Sequence, residues 1–127
     1  MAQYDDIKIL KQRAAEDLLV AEIILDNDHE LLAQIGFHLQ QFLEKRMKVI
    51  LQENHIDYPK THDLAILLRL FPQKKINADD KEFMYILSQF AVESRYDEYP
   101  QSPWDGRQML DKTKKFAELI ETVWVGQ

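Results

Sequence analysis

Polar side chains at helical spacing are the first feature of this sequence that could support chemistry. Gln41, Lys45 and Lys48 follow His38 at steps of three, four and three residues. This spacing places all four on one narrow polar strip of a helix. Two ammonium groups and an amide on such a strip could contact phosphate oxygens and the edge of a nucleobase. The same pattern also fits a solvated helix face that binds nothing.

Two further polar groups lie near the ends of predicted helices. His62 and Asp63 precede an apolar segment, and Arg95 and Tyr96 follow another. A guanidinium group could bind phosphate, Tyr96 or Tyr58 could stack on a base, and free N–H groups at a helix start would favour an anion. Because the ends of neighbouring helices can meet around one cleft, these residues join the polar strip as candidate ligand contacts. The alternatives are a capping or interhelical hydrogen bond for His62, and a favourable contact with the helix dipole for Arg95.

The elements that must position these residues are helices. Glycine and proline are scarce, with three and four residues, so few turns are encoded. Apolar residues recur at steps of three and four, which predicts an all-α, up-down bundle of about five helices, four long and one short, in a single domain over residues 1–127. The predicted helices are Asp5–Asp26, Leu31–Asn54, His62–Phe71, one that begins after an Asn77 cap, and one that begins after a Ser102 cap.

Local signals refine these helix starts. Thr61 is the expected cap of the third helix, and Asn77 caps the fourth, with acids in its first turn. Pro103 after Ser102 is a strong start for the last helix, which should bury Met109, Thr113, Phe116, Ile120 and either Val123 or Trp124.

Two features do not fit a simple amphipathic pattern. Ile9, Val20 and Ile23 form a second apolar group on the first helix, so this helix is either central in its own bundle or shared with a partner chain. Arg46 projects from the apolar arc of the second helix. It either pairs with an acid, with its stem along apolar neighbours, or takes part in binding.

Composition excludes several classes of function. The chain has no cysteine, which removes disulfides and thiolate sites, and its histidines lack the spacing of a metal motif, so no metal and no cofactor are expected. The net charge of −6 argues against general binding to a phosphate backbone. The N-terminus does not resemble a signal peptide, and no apolar run approaches the ~20 residues of a membrane span. We therefore expect a cytoplasmic location with no membrane contact.

Several segments occur in the order typical of one family. Phe37 to Lys48 resembles the FHxQQxxEKxxK signature of HEPN domains, and Pro59 to Leu64 resembles their PxTHDL helix start. Ser94-Arg95-Tyr96, followed by an acid and then Pro100, resembles their RYP-type element. Ala15 to Ala21 resembles their ADLxxA pattern. The resemblance covers nearly the whole chain and implies an up-down helical bundle, often dimeric.

The resemblance also implies a role that involves nucleotides or RNA. Relatives are commonly encoded beside a minimal nucleotidyltransferase, so a separate nucleotidyltransferase partner, a toxin–antitoxin pair and a homodimer are expected. Some relatives are ribonuclease toxins with an Arg-x4-6-His motif, but no arginine of this chain has a histidine at that spacing. The leading hypothesis is a binding module for a nucleotide or RNA. The alternatives are a metal-independent ribonuclease that uses His62 or His55 with Arg95 or Arg46, and a plain interaction protein.

Overall fold

The computed structural model describes residues 6–91 and 102–124, and all regular secondary structure in these two ranges is helical. The α-helices are α1 (Ile7–Asn27), α2 (Leu32–Glu53), α3 (Leu64–Leu68), α4 (Ala78–Ser88) and α5 (Gly106–Ile120), and a 3₁₀ turn (Gln89–Ala91) follows α4. No strand occurs in the described ranges, and four of the five helices are long. The predicted all-α bundle is therefore confirmed.

Helix α2 lies at the centre of the bundle and packs against all four other α-helices. Burial includes the apolar residues predicted to face the core and extends to Gln40, Glu44 and Lys48; the predicted residues are Ile35, Leu39, Phe42, Leu43, Val49 and Ile50. Helix α1 runs along α2 through a stripe that includes Leu10, Ala14, Ala21 and Leu25. The second apolar group of α1 faces outward, since Ile9 and Ile23 are 49% and 51% exposed. The suggestion that α1 is central in its own bundle is therefore wrong.

Helix α2 ends in a Schellman motif that turns the chain toward α3. The N–H of Ile56 donates to the carbonyl of Leu51, and the N–H of His55 donates to the carbonyl of Gln52. His55 adopts φ 59°, the left-handed conformation that glycine usually supplies at this position. The motif satisfies carbonyls at the end of α2 and directs residues 57–63 back along it.

Two predicted helix starts are wrong by a few residues. Helix α3 is capped by Asp63, whose Oδ1 accepts from the N–H of Ala65 at 2.9 Å, while the hydroxyl of Thr61 accepts from the N–H of Asp63. Helix α5 is capped by Asp105 in a capping box with Gln108 rather than by Ser102. In both cases a carboxylate lies two or three residues after the predicted hydroxyl cap, and its charge binds the positive helix end more strongly. The predicted Asn77 cap of α4 is confirmed and also forms a capping box, with Asp80.

One continuous apolar core joins all five helices. The predicted face of α5 is buried, and Val123 rather than Trp124 completes it, with 1% exposure. The 3₁₀ turn is held against α2 because Gly36 leaves room for the ring of Phe90, where a Cβ atom would overlap that ring. None of the described helices is both long and apolar enough to cross a membrane.

Candidate functional site

A carboxylate of α1 pairs with two cationic or titratable side chains of α2. The Nζ of Lys45 donates to Oδ2 of Asp17 at 2.5 Å, and Nδ1 of His38 lies 3.0 Å from Oδ1 of the same residue. The side chains of Asp17 and Lys45 are only 16% and 17% exposed. This site therefore contains a compensated ion pair that joins the two longest helices.

Two glutamines carry the hydrogen bonding along α2. The Nζ of Lys45 also donates to Oε1 of Gln41 at 3.3 Å, and Nε2 of Gln41 donates to Oε1 of Gln40 at 2.6 Å. The Nε2 of Gln40 then donates to the backbone carbonyl of His62 at 2.8 Å and lies 3.3 Å from Oε1 of Glu44. Gln40 is fully buried, so these bonds satisfy amide atoms that water cannot reach.

Glu44 is the second carboxylate, and it joins α2 to the start of α3. Its Oε2 accepts from Nζ of Lys48 at 3.1 Å, and its Oε1 lies 2.9 Å from Nδ1 of His62. The side chains of Glu44 and Lys48 are 7% and 10% exposed, whereas that of His62 is 69% exposed. The Lys48 ammonium group also lies 5.8 Å from the ring centroid of Tyr58. Removal of Lys48 or of Glu44 would leave the other charge buried and uncompensated, a strongly destabilising change.

These contacts form one continuous chain, which we call the α2 network: Asp17, His38, Gln40, Gln41, Glu44, Lys45, Lys48 and His62. With neutral histidines its formal charge is zero, because its two lysines face two carboxylates. The members come from three segments of the chain, and each segment contains one of the short motifs noted in the sequence.

A comparison with models of protein families shows which family this chain belongs to. The model of the HEPN domain matches residues 7–123, which is nearly the whole chain. The chain belongs to the HEPN domain family. A search of curated proteins found no match, and a search of solved structures found none either.

The HEPN signature of α2 is therefore mainly occupied with internal contacts. Its His38, Gln40, Gln41, Glu44, Lys45 and Lys48 are all members of the α2 network, together with Asp17 of the ADLxxA segment and His62 of the PxTHDL segment. The interpretation of Lys45 and Lys48 as a solvated face is wrong, because both side chains are mostly buried and paired with carboxylates. His62 lies in the segment before α3 rather than in a helix, and its suggested internal hydrogen bond is present as a contact with Glu44 of α2.

The structure brings together part of the predicted ligand-binding set. Gln41, Lys45, Lys48 and His62 belong to the α2 network, but Lys45 and His62 lie at different points of it, joined through Gln41, Gln40 and Glu44. Asp63 lies beside His62, and its carboxylate caps α3. Arg95 and Tyr96 lie outside the described residues.

Sequence reasoning missed the two carboxylates that organise the site. Glu44 had a detectable signal, since Gln40 and Lys48 lie four residues before and after it on the same helix. Asp17 had no comparable signal, because its partner Lys45 is 28 residues away in the chain. Its position within the ADLxxA segment was the only indication.

Arg46 is not available for phosphate chemistry in this arrangement. Its guanidinium group pairs with the carboxylate of Glu121 at the end of α5. The predicted pairing of Arg46 with an acid is thus confirmed. His55 lies in the turn after α2, nine residues beyond Arg46, so these two residues do not form the ribonuclease motif of some HEPN relatives.

The accessible part of the site is the outer edge of His62. Its Nδ1 faces the buried Glu44, and its Nε2 has no partner among the described residues. A carboxylate at one ring nitrogen fixes the orientation of the imidazole and leaves the other nitrogen to donate or accept a hydrogen bond. A search for groups of three or more metal-binding side chains found none among the described residues.

Proposed function

We propose that this HEPN chain is a nucleotide- or RNA-related accessory module that acts with a separate nucleotidyltransferase, within a toxin–antitoxin pair. The observation that carries the proposal is the α2 network, in which three HEPN segments hold one exposed imidazole edge. The missing Arg-x4-6-His spacing favours binding over RNA cleavage. The HEPN model matches residues 7–123, and in this proposal nucleotidyl transfer is the activity of the partner.

The charges of the α2 network determine how a ligand would be held. Lys45 and Lys48 compensate Asp17 and Glu44, so they contribute little net attraction to a phosphate. In this proposal they and Gln41 hold the network rigid, while His62 supplies the hydrogen bond to the ligand. Arg95 would supply charge and Tyr96 a stacking surface. Asp63 would position His62 through its cap of α3.

The binding claim is tested by calorimetry of the purified protein with ATP and with a short single-stranded RNA. His62→Ala should weaken binding about three- to tenfold, which corresponds to the loss of one hydrogen bond. His29→Ala is the matched control, because this histidine is also exposed but lies in the turn between α1 and α2. It should leave the affinity unchanged. Absence of binding to either ligand, with and without the partner, would refute the ligand claim.

The partner claim has its own test. The tagged chain, expressed in its native cells, should retain a nucleotidyltransferase that mass spectrometry identifies after affinity purification. If the complexes contain no nucleotidyltransferase, the accessory role is wrong even if ATP or RNA binds.

We further propose that the chain forms a homodimer through the outer face of α1. Ile9, Leu19 and Ile23 are 49%, 57% and 51% exposed on this helix. Arg13 and Glu16 lie between them, and neither forms an ion pair among the described residues. Two antiparallel copies of α1 related by a twofold axis near Glu16 would place Ile9 opposite Ile23 of the second copy. Arg13 of each copy would then lie within about one helical turn of Glu16 of the other, which would offset the approach of the two Glu16 side chains at the axis.

A further inference from the structure

A small cavity between α3 and α4 combines two cations with an apolar floor. It has a volume of about 210 Å³ and is lined by Ala65, Leu68, Arg69, Gln73 and Lys81. None of these five side chains is acidic. The cavity lies along α3 and is separate from the α2 network.

Arg69 and Lys81 lack compensating acids within the described structure. Six lysines and arginines form ion pairs with carboxylates there, and Arg69 and Lys81, both exposed, are among the cations that do not. Asn77 and Tyr85 occupy the positions four residues before and after Lys81, so its own helix offers it no acid on that side. Lys81 also lies near the positive N-terminal end of α4, where a cation is disfavoured.

The other polar side chain of the cavity is held in a fixed position. The Nε2 of Gln73 donates to the backbone carbonyls of Leu68 and Phe71, at 2.8 and 2.6 Å. Its donors are therefore used internally, and the positive groups of the cavity wall come from Arg69 and Lys81. Arg69 and Lys81 line the same cavity with no acid among its lining residues, so an anion there would be attracted by two cations.

We infer that this cavity binds a small phosphate monoester. Such an ester carries close to two negative charges at neutral pH, which matches two cations, whereas a monocarboxylate would leave one of them uncompensated. The planar guanidinium group of Arg69 can bind two phosphate oxygens at once, and Lys81 supplies a point charge. Ala65 and Leu68 would contact the carbon part of the ester. The volume is below the range of about 300–1,000 Å³ typical of drug-sized ligands, so the ester must be small.

The test is an NMR titration at constant ionic strength with phenyl phosphate, inorganic phosphate and benzoate. We expect saturable shifts of the Ala65 and Leu68 amides, with phenyl phosphate the tightest ligand and benzoate the weakest. The double variant Arg69→Gln/Lys81→Gln should weaken phenyl phosphate at least about tenfold, since two charge-assisted contacts are lost. The double variant Lys8→Gln/Lys74→Gln removes the same charge from exposed sites outside the cavity and should bind as the wild type does.

The readout is local to this cavity, because Ala65 and Leu68 line it and neither belongs to the α2 network. Failure of the proposed nucleotide or RNA binding would therefore leave this result standing. If both double variants weaken phenyl phosphate binding equally, the weakening comes from the net charge of the protein, and the inference is wrong. Binding of benzoate as tight as that of phenyl phosphate would overturn the assignment to a dianion, and unsaturable shifts would overturn the site itself.

Discussion

At the scale of single residues, buried polar groups of this protein differ in how completely they are satisfied. Glu44 contacts Lys48, His62 and Gln40 while it is 5% exposed. Thr113 of α5 is fully buried, and its hydroxyl has no hydrogen-bond partner among the described residues. The contacts of Glu44 stabilise the fold only when all of its partners are present. Burial of the Thr113 hydroxyl instead costs desolvation free energy that no hydrogen bond offsets.

Replacement of Thr113 by valine should raise the free energy of unfolding by about 1 kcal/mol, because a methyl group takes the place of an unpaired buried hydroxyl. Urea denaturation measures the change. Thr122→Val is the control, since that exposed hydroxyl donates to the carbonyl of Leu119 at 2.7 Å. The control should give no gain, and a loss of stability in Thr113→Val would show that the hydroxyl has a partner.

At the scale of elements, apolar periodicity was sufficient to place the helix interiors. The buried faces of α1, α2 and α5 follow the steps of three and four residues from which these helices were predicted, because such repeated steps average over many positions. Helix starts depend on one or two side chains, so the competition between Thr61 and Asp63, or between Ser102 and Asp105, was not settled by pattern alone. The candidate site was harder to predict than the helix starts, since the partner of Lys45 lies on another helix and no spacing rule connects the two residues.

Gly36→Ala should lower the free energy of unfolding by about 1–3 kcal/mol through overlap with the ring of Phe90. This loss should exceed the gain of about 1 kcal/mol in helix propensity. Thermal and urea unfolding would measure it, and Phe90→Leu in the same background should recover part of the stability.

Gly106→Ala is the matched control for this prediction. A Cβ atom there would meet Leu25 and Ile35 only at the ends of their side chains, at 3.0 and 3.1 Å. The cost should therefore be smaller than at Gly36. An unchanged or higher stability of Gly36→Ala would mean that the 3₁₀ turn does not depend on the close approach of Phe90.

At the scale of the whole molecule, charge and exposed apolar surface lie in different places. The chain has a net charge of −6, yet Arg69 and Lys81 leave a local positive cavity beside α3. The outer face of α1 is instead rich in exposed isoleucine and leucine. An acidic protein can thus carry separate surfaces for an anion and for another protein.

Ile23→Lys should convert the proposed dimer to a monomer, because it places a charge against the apolar side chain of Ile9 in the second copy. Light scattering measures the mass, and the melting temperature of the wild type should rise with protein concentration. Tyr85→Lys is the control, since this side chain is 64% exposed on α4, away from α1. A wild type that stays monomeric at every concentration, or an Ile23→Lys variant that keeps the mass of a dimer, would contradict the interface.

The α2 network also has a consequence for the order in which the chain can fold. Lys45 reaches back 28 residues to Asp17, and Glu44 reaches forward 18 residues to His62. Without α1, the ammonium group of Lys45 would lack its counterion Asp17, and without the segment before α3, Gln40 and Glu44 would lose their contacts with His62. Both contacts therefore favour joint docking of these segments, and polar groups add to the cooperativity that the apolar interior provides.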